Sequence, residues 1–551
     1  MEKLTLLTPE SAQTSIVYPI AKRPDTLDGK TIGLYWNRKS GGDIALRRAG
    51  DNLAKLYKNV TIKFFDDDFP CKPETHDIVP AACDVIIGST GDCGSCTSWL
   101  VHDLVQMEKR GVPCTSLESV PFEDDVKLTC ASFGMPDHKY TIMPCNTITN
   151  LSKDEIWTAI DQITDQLVNN LTTKGDKGGK AKSQGQEEDM AAIAQKDAET
   201  VEVSGASEFA AWEKMNELFL SERWGDGFPL IPPTAERVNA MLKGTKRKPS
   251  DIVAVMDPGQ GFATVKKIAV NAVMAGCAPA HLPILIASVE AMTDDKYRLR
   301  TVTTSTGPHA PLLVVNGPIA KKLNICSGRG ALGPGSQSAV NTVIGRALRL
   351  IIMNIGHAYV GELDLDTLGA PIKYSMCLAE NEENSPWSPY HVDMGYSKDE
   401  STVTVFGVES QLEIFDMKNE TPEGILNSYA YTINGLASYA NRAWFVGRFT
   451  HNAVLLCPDH AQIIAKHGWN KQDVQAYLFS KAVQPASVFA NTYETGRVIR
   501  GLRWIFTDTT GATLPIVSSP DWFRIIVTGG EATKSSYTTG VGFSITKKIE
   551  E

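Results

Sequence analysis

The sequence has 551 residues, of which 42% are hydrophobic and 21% charged, and its formal net charge is −10. A chain of this length exceeds one ordinary hydrophobic core, so we expect two or three domains. The negative charge disfavours a nucleic-acid surface, and no run approaches the ~20 apolar residues that span a bilayer. The first residues lack the apolar core of a signal peptide, so we expect a cytoplasmic protein with free thiols among its 11 cysteines.

Residues 1–28 are weakly patterned and are interpreted as an N-terminal arm. Residues 29–172 alternate short apolar runs with amphipathic segments, which predicts an α/β domain with a doubly wound parallel sheet. We predict its strands at residues 31–35, 60–65, 84–87 and 111–117, and its helices at residues 43–56, 99–109 and 151–171. Ser152 and Glu155 form a capping-box pattern at the start of the last helix.

Residues 173–205 contain almost no large apolar side chain and are predicted to be a flexible linker, with a transient helix around residues 187–196. Residues 206–551 are predicted to form a larger substrate-binding or catalytic α/β (or α+β) domain with room for two subdomains. Three apolar strands, at residues 311–315, 453–456 and 523–527, each end in a polar turn. Their similarity indicates one sheet with a site along its strand ends. The alternative is that the strands look alike only because buried strands in any α/β protein do.

Residues 88–98 read Gly-Ser-Thr-Gly-Asp-Cys-Gly-Ser-Cys-Thr-Ser, between a predicted strand and a predicted helix. In a parallel sheet, ligands bind at the carboxyl ends of strands, and the amides of a helix N-terminus lower the pKa of a thiol. The pair Cys93 and Cys96 is therefore either a redox or nucleophilic thiol pair or half of a zinc site. Since a zinc site needs further ligands at suitable spacing and no second C-x-x-C follows, thiol chemistry is favoured. We predict Cys93 as the nucleophile and Cys96 as the resolving thiol.

Two residues that flank the thiol pair, Asp92 and Thr97, complete the predicted catalytic set. A carboxylate at position 92 would raise the pKa of a neighbouring thiol by its charge. We therefore interpret Asp92 as a base or a cap.

The glycine-rich stretch at residues 327–336 precedes a predicted helix at residues 339–354 and matches neither the Walker nor the Rossmann pattern. It either binds an anion such as a substrate carboxylate, with Arg329 or Arg346 as counter-charge, or is only a tight turn. The candidate substrate-binding residues are Asn316, Gly330, Gly333, Gly335, Arg346, Thr304 and His309.

His309 is either a general acid or base or a plain loop residue. Cys277 and Cys326 are candidates for a second thiol site, and the alternative is that each is a small buried hydrophobe. The acidic run Glu380–Glu383 with His391 is interpreted as a solvated charge run rather than a metal site. We predict no metal site and no cofactor other than a redox-active disulfide.

Residues 88–98, with the following helix and the turn Arg110-Gly111-Val112-Pro113, resemble the UGSC family, which is named for selenocysteine-Gly-Ser-Cys. They are also similar to the selenocysteine-bearing subunit of glycine/sarcosine/betaine reductase protein B. By position, Cys93 stands in the place of the selenocysteine and Cys96 is its partner. The resemblance covers about residues 30–170 and implies a redox-active pair that acts on a carbon–heteroatom bond or its thiol adduct. Sulfur in place of selenium departs from the selenoprotein members.

The C-terminal part resembles a domain of uncharacterised UGSC-associated proteins, through residues 224–233, 271–277 and 330–335. This resemblance groups the proteins and implies no mechanism.

The sequence therefore predicts a thiol-dependent oxidoreductase that performs reductive cleavage or thiol exchange at a carbon–heteroatom bond of a small polar substrate. No nicotinamide or flavin motif is visible, so an external thioredoxin-like or low-molecular-weight thiol is the expected reductant. No nucleic-acid or membrane partner is expected, and a homo-oligomer is compatible with the sequence. One alternative is a lyase or hydrolase centred on the C-terminal domain, with the N-terminal domain a redox-regulatory or sulfur-carrying module. Another is a non-catalytic zinc or redox-sensor protein.

Overall fold

The computed structural model of the protein describes residues 2–14, 16–173, 190–435, 450–485, 511 and 513–550. These residues form an N-terminal region around a five-stranded sheet and a larger C-terminal region around a six-stranded sheet. None of the helices in these ranges is long and apolar enough to cross a membrane. About half of the predicted linker, residues 174–189, lies outside the described residues.

The N-terminal region alternates strands and helices, as its apolar periodicity predicts. Its elements are β1 (Glu2–Leu7), β2 (Thr31–Trp36), α1 (Gly42–Leu56), β3 (Thr61–Asp66), α2 (Thr75–Ala81), β4 (Val85–Gly91), α3 (Gly94–Glu108), β5 (Cys114–Ser119), α4 (Glu123–Ser132), β6 (Lys139–Met143) and α5 (Lys153–Leu171).

Five of these strands form a parallel sheet in the order β3-β2-β4-β5-β6. Helices α1 and α5 bury one face of the sheet, while α2, α3 and α4 bury the other. Ser152 and Glu155 form the predicted capping box at the start of α5. The predicted doubly wound α/β sheet is therefore confirmed, and the sequence analysis missed α2, α4 and β6.

The C-terminal region contains the remaining elements of the described chain. They are α6 (Met190–Asp197), β7 (Thr200–Gly205), α7 (Glu208–Ser221), α8 (Ala235–Leu242), β8 (Ile252–Met256), β9 (Gly261–Thr264), α9 (Val265–Ala275), α10 (Leu282–Met292), α11 (Leu299–Thr304), β10 (Ala310–Asn316), α12 (Pro318–Lys322), α13 (Ala339–Asn354), β11 (Cys377–Ala379), α14 (Tyr390–Asp393), β12 (Thr402–Phe415), α15 (Pro422–Gly435), β13 (Asn452–Leu456), α16 (Pro458–Lys466), α17 (Lys471–Lys481), β14 (Val483–Pro485), β15 (Thr513–Pro515), β16 (Phe523–Val527) and β17 (Lys534–Lys548).

The first strand of the N-terminal region pairs with the first strand of the C-terminal region. β1 pairs antiparallel with β7, from Glu2 opposite Gly205 to Leu7 opposite Thr200. The sequence analysis interpreted these segments as arm and linker, because the first is weakly patterned and the second contains almost no large apolar side chain. Their backbone groups instead satisfy each other in a two-stranded sheet.

The main C-terminal sheet is mixed, with the strand order β11-β10-β12-β17-β13-β16. All three apolar strands noted in the sequence belong to it, as β10, β13 and β16. Hydrogen bonds also join the ends of its two edge strands: Asn381 N–H donates to Val527 O at 2.7 Å, and Thr528 Oγ1 donates to Ala379 O at 2.9 Å. The sheet therefore curls, and these strand ends come together.

Candidate functional site

The cysteine pair lies where β4 ends and α3 begins, at the carboxyl edge of the parallel sheet. Cys93 is the N-cap of α3, and its sulfur accepts the backbone N–H of Cys96 at 3.3 Å. The two sulfurs are at disulfide bonding distance, and the Cα atoms are 5.3 Å apart. Amides at a helix N-terminus stabilise negative charge, so this position favours a thiolate once the pair is reduced.

The two cysteines differ in exposure. Cys93 is half-buried, whereas Cys96 is only 2% exposed. A substrate or reductant can therefore reach the Cys93 sulfur more readily than the Cys96 sulfur. This difference fits the predicted roles of attacking and resolving thiol.

A buried lysine stands beside the pair. Lys39 lies in the loop after β2, its Nζ is 3.2 Å from the Cys96 sulfur, and it forms an ion pair with Asp92. Strands β2 and β4 are parallel neighbours, so the loops that follow them meet at one edge of the sheet. The sequence analysis missed Lys39. This residue follows a predicted strand closely, so knowing that this strand neighbours the one before the cysteine loop would have identified it as a candidate.

Asp92 is fixed by several contacts at once. Its Oδ2 accepts hydrogen bonds from Thr147 Oγ1 at 2.9 Å and from the backbone N–H and hydroxyl of Thr149 at 3.0 and 2.6 Å. Burial raises the pKa of Asp92, but the Lys39 ammonium and the Thr149 hydrogen bonds outweigh burial and lower it below its ordinary value.

The ionised Asp92 balances the charge of Lys39, and one of its oxygens lies within 4.8 Å of both cysteine sulfurs. The Lys39 ammonium at the same place disfavours a metal cation there.

A second buried carboxyl, Glu118, lies behind the cysteine loop. Glu118 lies in β5 opposite Gly91 of β4, and a side chain at position 91 would overlap its carboxyl group. Burial raises the pKa of Glu118 well above its ordinary value, despite the nearby hydroxyls of Ser116 and the predicted site residue Thr97. Thr97 is itself fully buried, and its hydroxyl lies near Glu118 inside the protein rather than at the surface of the site.

The cysteine loop packs directly against the C-terminal region. A Cβ atom on Gly94 would overlap the carbonyl oxygen of Thr304, the last residue of α11. Arg300 of α11 donates to Ser98 Oγ at 2.8 Å, and Trp99 Nε1 donates to Thr301 Oγ1 at 2.8 Å. Thr304, predicted to bind substrate, thus reaches this site through its backbone carbonyl, because its hydroxyl donates to Arg300 O.

A separate pocket of about 370 Å³ opens at the curled ends of the C-terminal sheet. Asn316, at the end of β10, donates to Glu380 at 2.5 Å and to Glu382 at 3.0 Å. Burial raises the pKa of Glu380 to about 7, although Lys471 opposes the shift. Asn316 and Glu380 therefore form a polar centre, with Glu380 fully inside the protein rather than in a solvated charge run.

The glycine-rich stretch borders this pocket. Gly330, Gly333 and Gly335 all have positive φ angles, which fits the tight-turn interpretation. The side chain of Gln337, which lines the pocket, packs over Gly330 and Gly335. Cys326 also lines the pocket, and its thiol faces Arg329 O at 3.7 Å.

Three further predicted residues have partners away from this pocket. Arg346 forms two hydrogen bonds with Asp226, at 2.7 and 2.9 Å, so its guanidinium is not open to a substrate. His309 is buried and pairs with Glu409 at 3.3 Å. Cys277 donates to a backbone carbonyl at 3.3 Å, and burial raises its pKa, which fits the small buried hydrophobe.

Residues 5–173 match the family model described as the UGSC family. The N-terminal region, with Cys93 and Cys96 at its sheet edge, is thus similar to that family, and we refer to it as the UGSC-like region. The match ends before the C-terminal region, so the resemblance of that region to UGSC-associated proteins receives no support. No curated protein matches the chain.

Proposed function

We propose that the protein is a thiol-dependent oxidoreductase in which Cys93 attacks a small polar substrate and Cys96 resolves the adduct. The observation that carries the proposal is the position of the Cys93 sulfur at the N-terminus of α3, with the Lys39 ammonium 3.2 Å from the Cys96 sulfur. Each thiolate thus has its own source of positive potential. This arrangement supports a pair that cycles between dithiol and disulfide near neutral pH.

The proposed reaction is a two-electron reduction of a carbon–heteroatom bond. The Cys93 thiolate bonds to the substrate carbon, and the heteroatom leaves with the bonding electron pair and takes a proton. The Cys96 thiolate then attacks the Cys93 sulfur, and the carbon leaves with its electron pair and takes a second proton. The dithiol is thereby oxidised to the disulfide, and two thiols of an external reductant restore it while becoming a disulfide themselves.

The test measures reactivity at individual cysteines of the full-length protein. After reduction and removal of the reductant, iodoacetamide should alkylate Cys93 at least about tenfold faster than Cys326, because the amides at the N-terminus of α3 stabilise the thiolate form. Cys326 is the matched internal control because it is also half-buried. Peptide mass spectrometry reads both rates, and equal rates would contradict the proposal.

Substrate chemistry is tested by trapping. A Cys96→Ser variant cannot resolve its adduct, so incubation with small carboxylates that carry carbon–nitrogen, carbon–oxygen or carbon–sulfur bonds should add mass at Cys93. The Cys93→Ser variant is the control and should gain none. Mass gained at another cysteine, or turnover retained in Cys93→Ser, would contradict the role of Cys93.

The pocket at Glu380 supports a second candidate function, a lyase or hydrolase in the C-terminal region. A carboxyl group whose pKa is about 7 can give or take a proton at neutral pH, and Asn316 orients it. Because β1 is paired with β7, residues 206–551 alone would lack both strands, so the full chain is the proper test object. Under this second hypothesis, Glu380→Gln abolishes turnover and Cys93→Ser retains it.

A further inference from the structure

A second cluster of reactive side chains lies in the UGSC-like region, apart from the cysteine loop. Cys71 lies in the loop between β3 and α2, His76 is the second residue of α2, and Asp103 lies within α3. A sulfur, a ring nitrogen and a carboxylate oxygen from these three residues all lie within 4.8 Å of one another. All three residues are buried. They come from separate elements, so the fold, rather than a local motif, assembles them.

The spacing of this cluster suits one small cation. His76 Nε2 is 3.0 Å from Asp103 Oδ1. Two ligand atoms on a tetrahedral ion with bonds near 2.0 Å are about 3.3 Å apart, so this pair needs only a small displacement to bind the same ion. A donor set of thiolate, imidazole and carboxylate binds Zn²⁺ in preference to Mg²⁺ or Ca²⁺, which favour oxygen ligands.

The orientation of Asp103 is fixed by other contacts. Its Oδ2 accepts from the Tyr35 hydroxyl at 3.1 Å and from the Cys71 backbone N–H at 3.2 Å, and its Oδ1 contacts His102 Nδ1 at 2.9 Å. An ionised carboxylate only accepts hydrogen bonds, so each of these groups donates. Contacts of this kind hold the ligands of metal sites in place before the ion binds.

The cluster also faces open space. Cys71 and His76 line a cleft of about 490 Å³ between the UGSC-like and C-terminal regions, whose other walls include Trp99, Phe133 and Arg300. Structural zinc sites have four protein ligands, whereas catalytic sites have three and leave one position for water or substrate. Three protein ligands beside a cleft correspond to the second pattern.

We propose that Cys71, His76 and Asp103 bind a divalent transition-metal ion, with Zn²⁺ as the preferred ion and its fourth coordination position open to the cleft. Binding displaces the thiol proton of Cys71 to solvent. It also replaces the hydrogen bond between His76 Nε2 and Asp103, and the proton on Nε2 moves to Nδ1 or to solvent. No electron transfer is involved. The inference is independent of the proposed function of Cys93 and Cys96.

The test uses the full-length protein with its Cys93–Cys96 disulfide intact, stripped of metal by a chelator and titrated with Co²⁺. We expect one equivalent to bind, with a sulfur-to-cobalt charge-transfer band and the intense visible bands of four-coordinate Co²⁺. Excess Zn²⁺ should remove both. Imidazole or azide should shift the visible bands by entering the open position. Absence of a one-to-one complex would overturn the site, and visible bands unchanged by both additives would overturn its open position.

The ligands are identified with variants. Cys71→Ser should abolish the charge-transfer band and weaken Co²⁺ binding at least about tenfold, while His76→Gln should weaken binding similarly but keep a sulfur band. Cys83→Ser is the matched control, since Cys83 is a free thiol of the same region outside the cluster. A charge-transfer band that persists in Cys71→Ser would overturn the assignment. If circular dichroism shows that Cys71→Ser is unfolded, the His76→Gln variant decides: a folded His76→Gln protein with unchanged affinity for Co²⁺ would overturn the assignment.

Discussion

The cysteine loop and the C-terminal pocket each contain a buried carboxyl group, and the pKa values of the two groups are shifted in opposite directions. Burial raises the pKa of both groups, but the directly paired Lys39 ammonium lowers that of Asp92, whereas that of Glu380 rises to about 7. Glu380 pairs with Lys471, whose Nζ is 3.9 Å from Glu380 and only 2.7 Å from Asp393. Because Lys471 is more distant and is shared with Asp393, it does not offset the rise in the pKa of Glu380 that burial causes.

This difference separates the chemistry that each site supports. At the cysteine loop, Asp92 stays ionised and pairs with Lys39, whose Nζ also lies 3.2 Å from the Cys96 sulfur. Under the proposed function, this ammonium group stabilises the Cys96 thiolate. In the C-terminal pocket, Glu380 is poised to exchange a proton near neutral pH. A buried carboxylate therefore indicates a type of site only once its cation is known.

The largest expected effect is a contrast in pH dependence between the two carboxylates. The folded pKa of Glu380, about 7, lies above its unfolded value of about 4.3, so its contribution to stability is full below about pH 4 and is lost as pH rises to about 7. Glu380→Gln removes this titration. The free energy of unfolding of wild type minus that of Glu380→Gln should fall by about 3 kcal/mol over this range, as measured by urea unfolding.

Asp92→Asn is the matched opposite case. The folded pKa of Asp92 is lowered, so its contribution is present above about pH 4 and is lost as pH falls through the folded value. The stability difference between wild type and this variant should therefore grow with rising pH in the acid range. Slopes of the same sign for the two variants would refute the proposed role of Lys39.

A smaller effect is expected when the contact between the two regions is disturbed. A Cβ atom on Gly94 would overlap the Thr304 carbonyl, while one on Gly328 would meet no atom within 4 Å. Gly94→Ala should destabilise the protein by about 2 kcal/mol, since the backbone must move. Gly328→Ala should change stability by less than about 0.5 kcal/mol. Alanine favours a helix over glycine by about 1 kcal/mol, so a stabilised Gly94→Ala variant would show that the contact gives way freely.

The sequence predicted the position of the cysteine pair in the fold because the parts that place it are contiguous. Strand, loop, cysteine pair and helix follow one another from residue 85 to residue 108, and local rules place them. Lys39 lies in the loop after β2 and Glu118 lies in β5. Both were missed because the neighbours of β4 in the sheet are set by strand order, which is a long-range property. The pairing of β1 with β7 was missed for the same reason.

The C-terminal pocket depends on longer separations. Asn316 and Glu380 are 64 positions apart, and their contact requires the strand ends to meet. The sequence analysis noted both residues but treated the acidic run as solvated, because burial of a particular glutamate follows from sheet curvature rather than from local composition. The ion pair of Arg346 with Asp226 also could not be predicted from local sequence patterns, since the two residues are 120 positions apart.

The smallest expected effect concerns this arginine. Arg346 binds both carboxylate oxygens of Asp226 and also donates to Phe228 O at 3.2 Å and Pro229 O at 3.1 Å. Its role is thus to hold the loop that precedes α8. Arg346→Met should lower the free energy of unfolding by about 1.5 kcal/mol, because a mostly buried Asp226 loses its charged partner. Arg329→Met, at an exposed position of the glycine-rich stretch, should change it by less than about 0.5 kcal/mol. Equal stability of the two variants in urea would instead return Arg346 to the set of substrate-binding candidates.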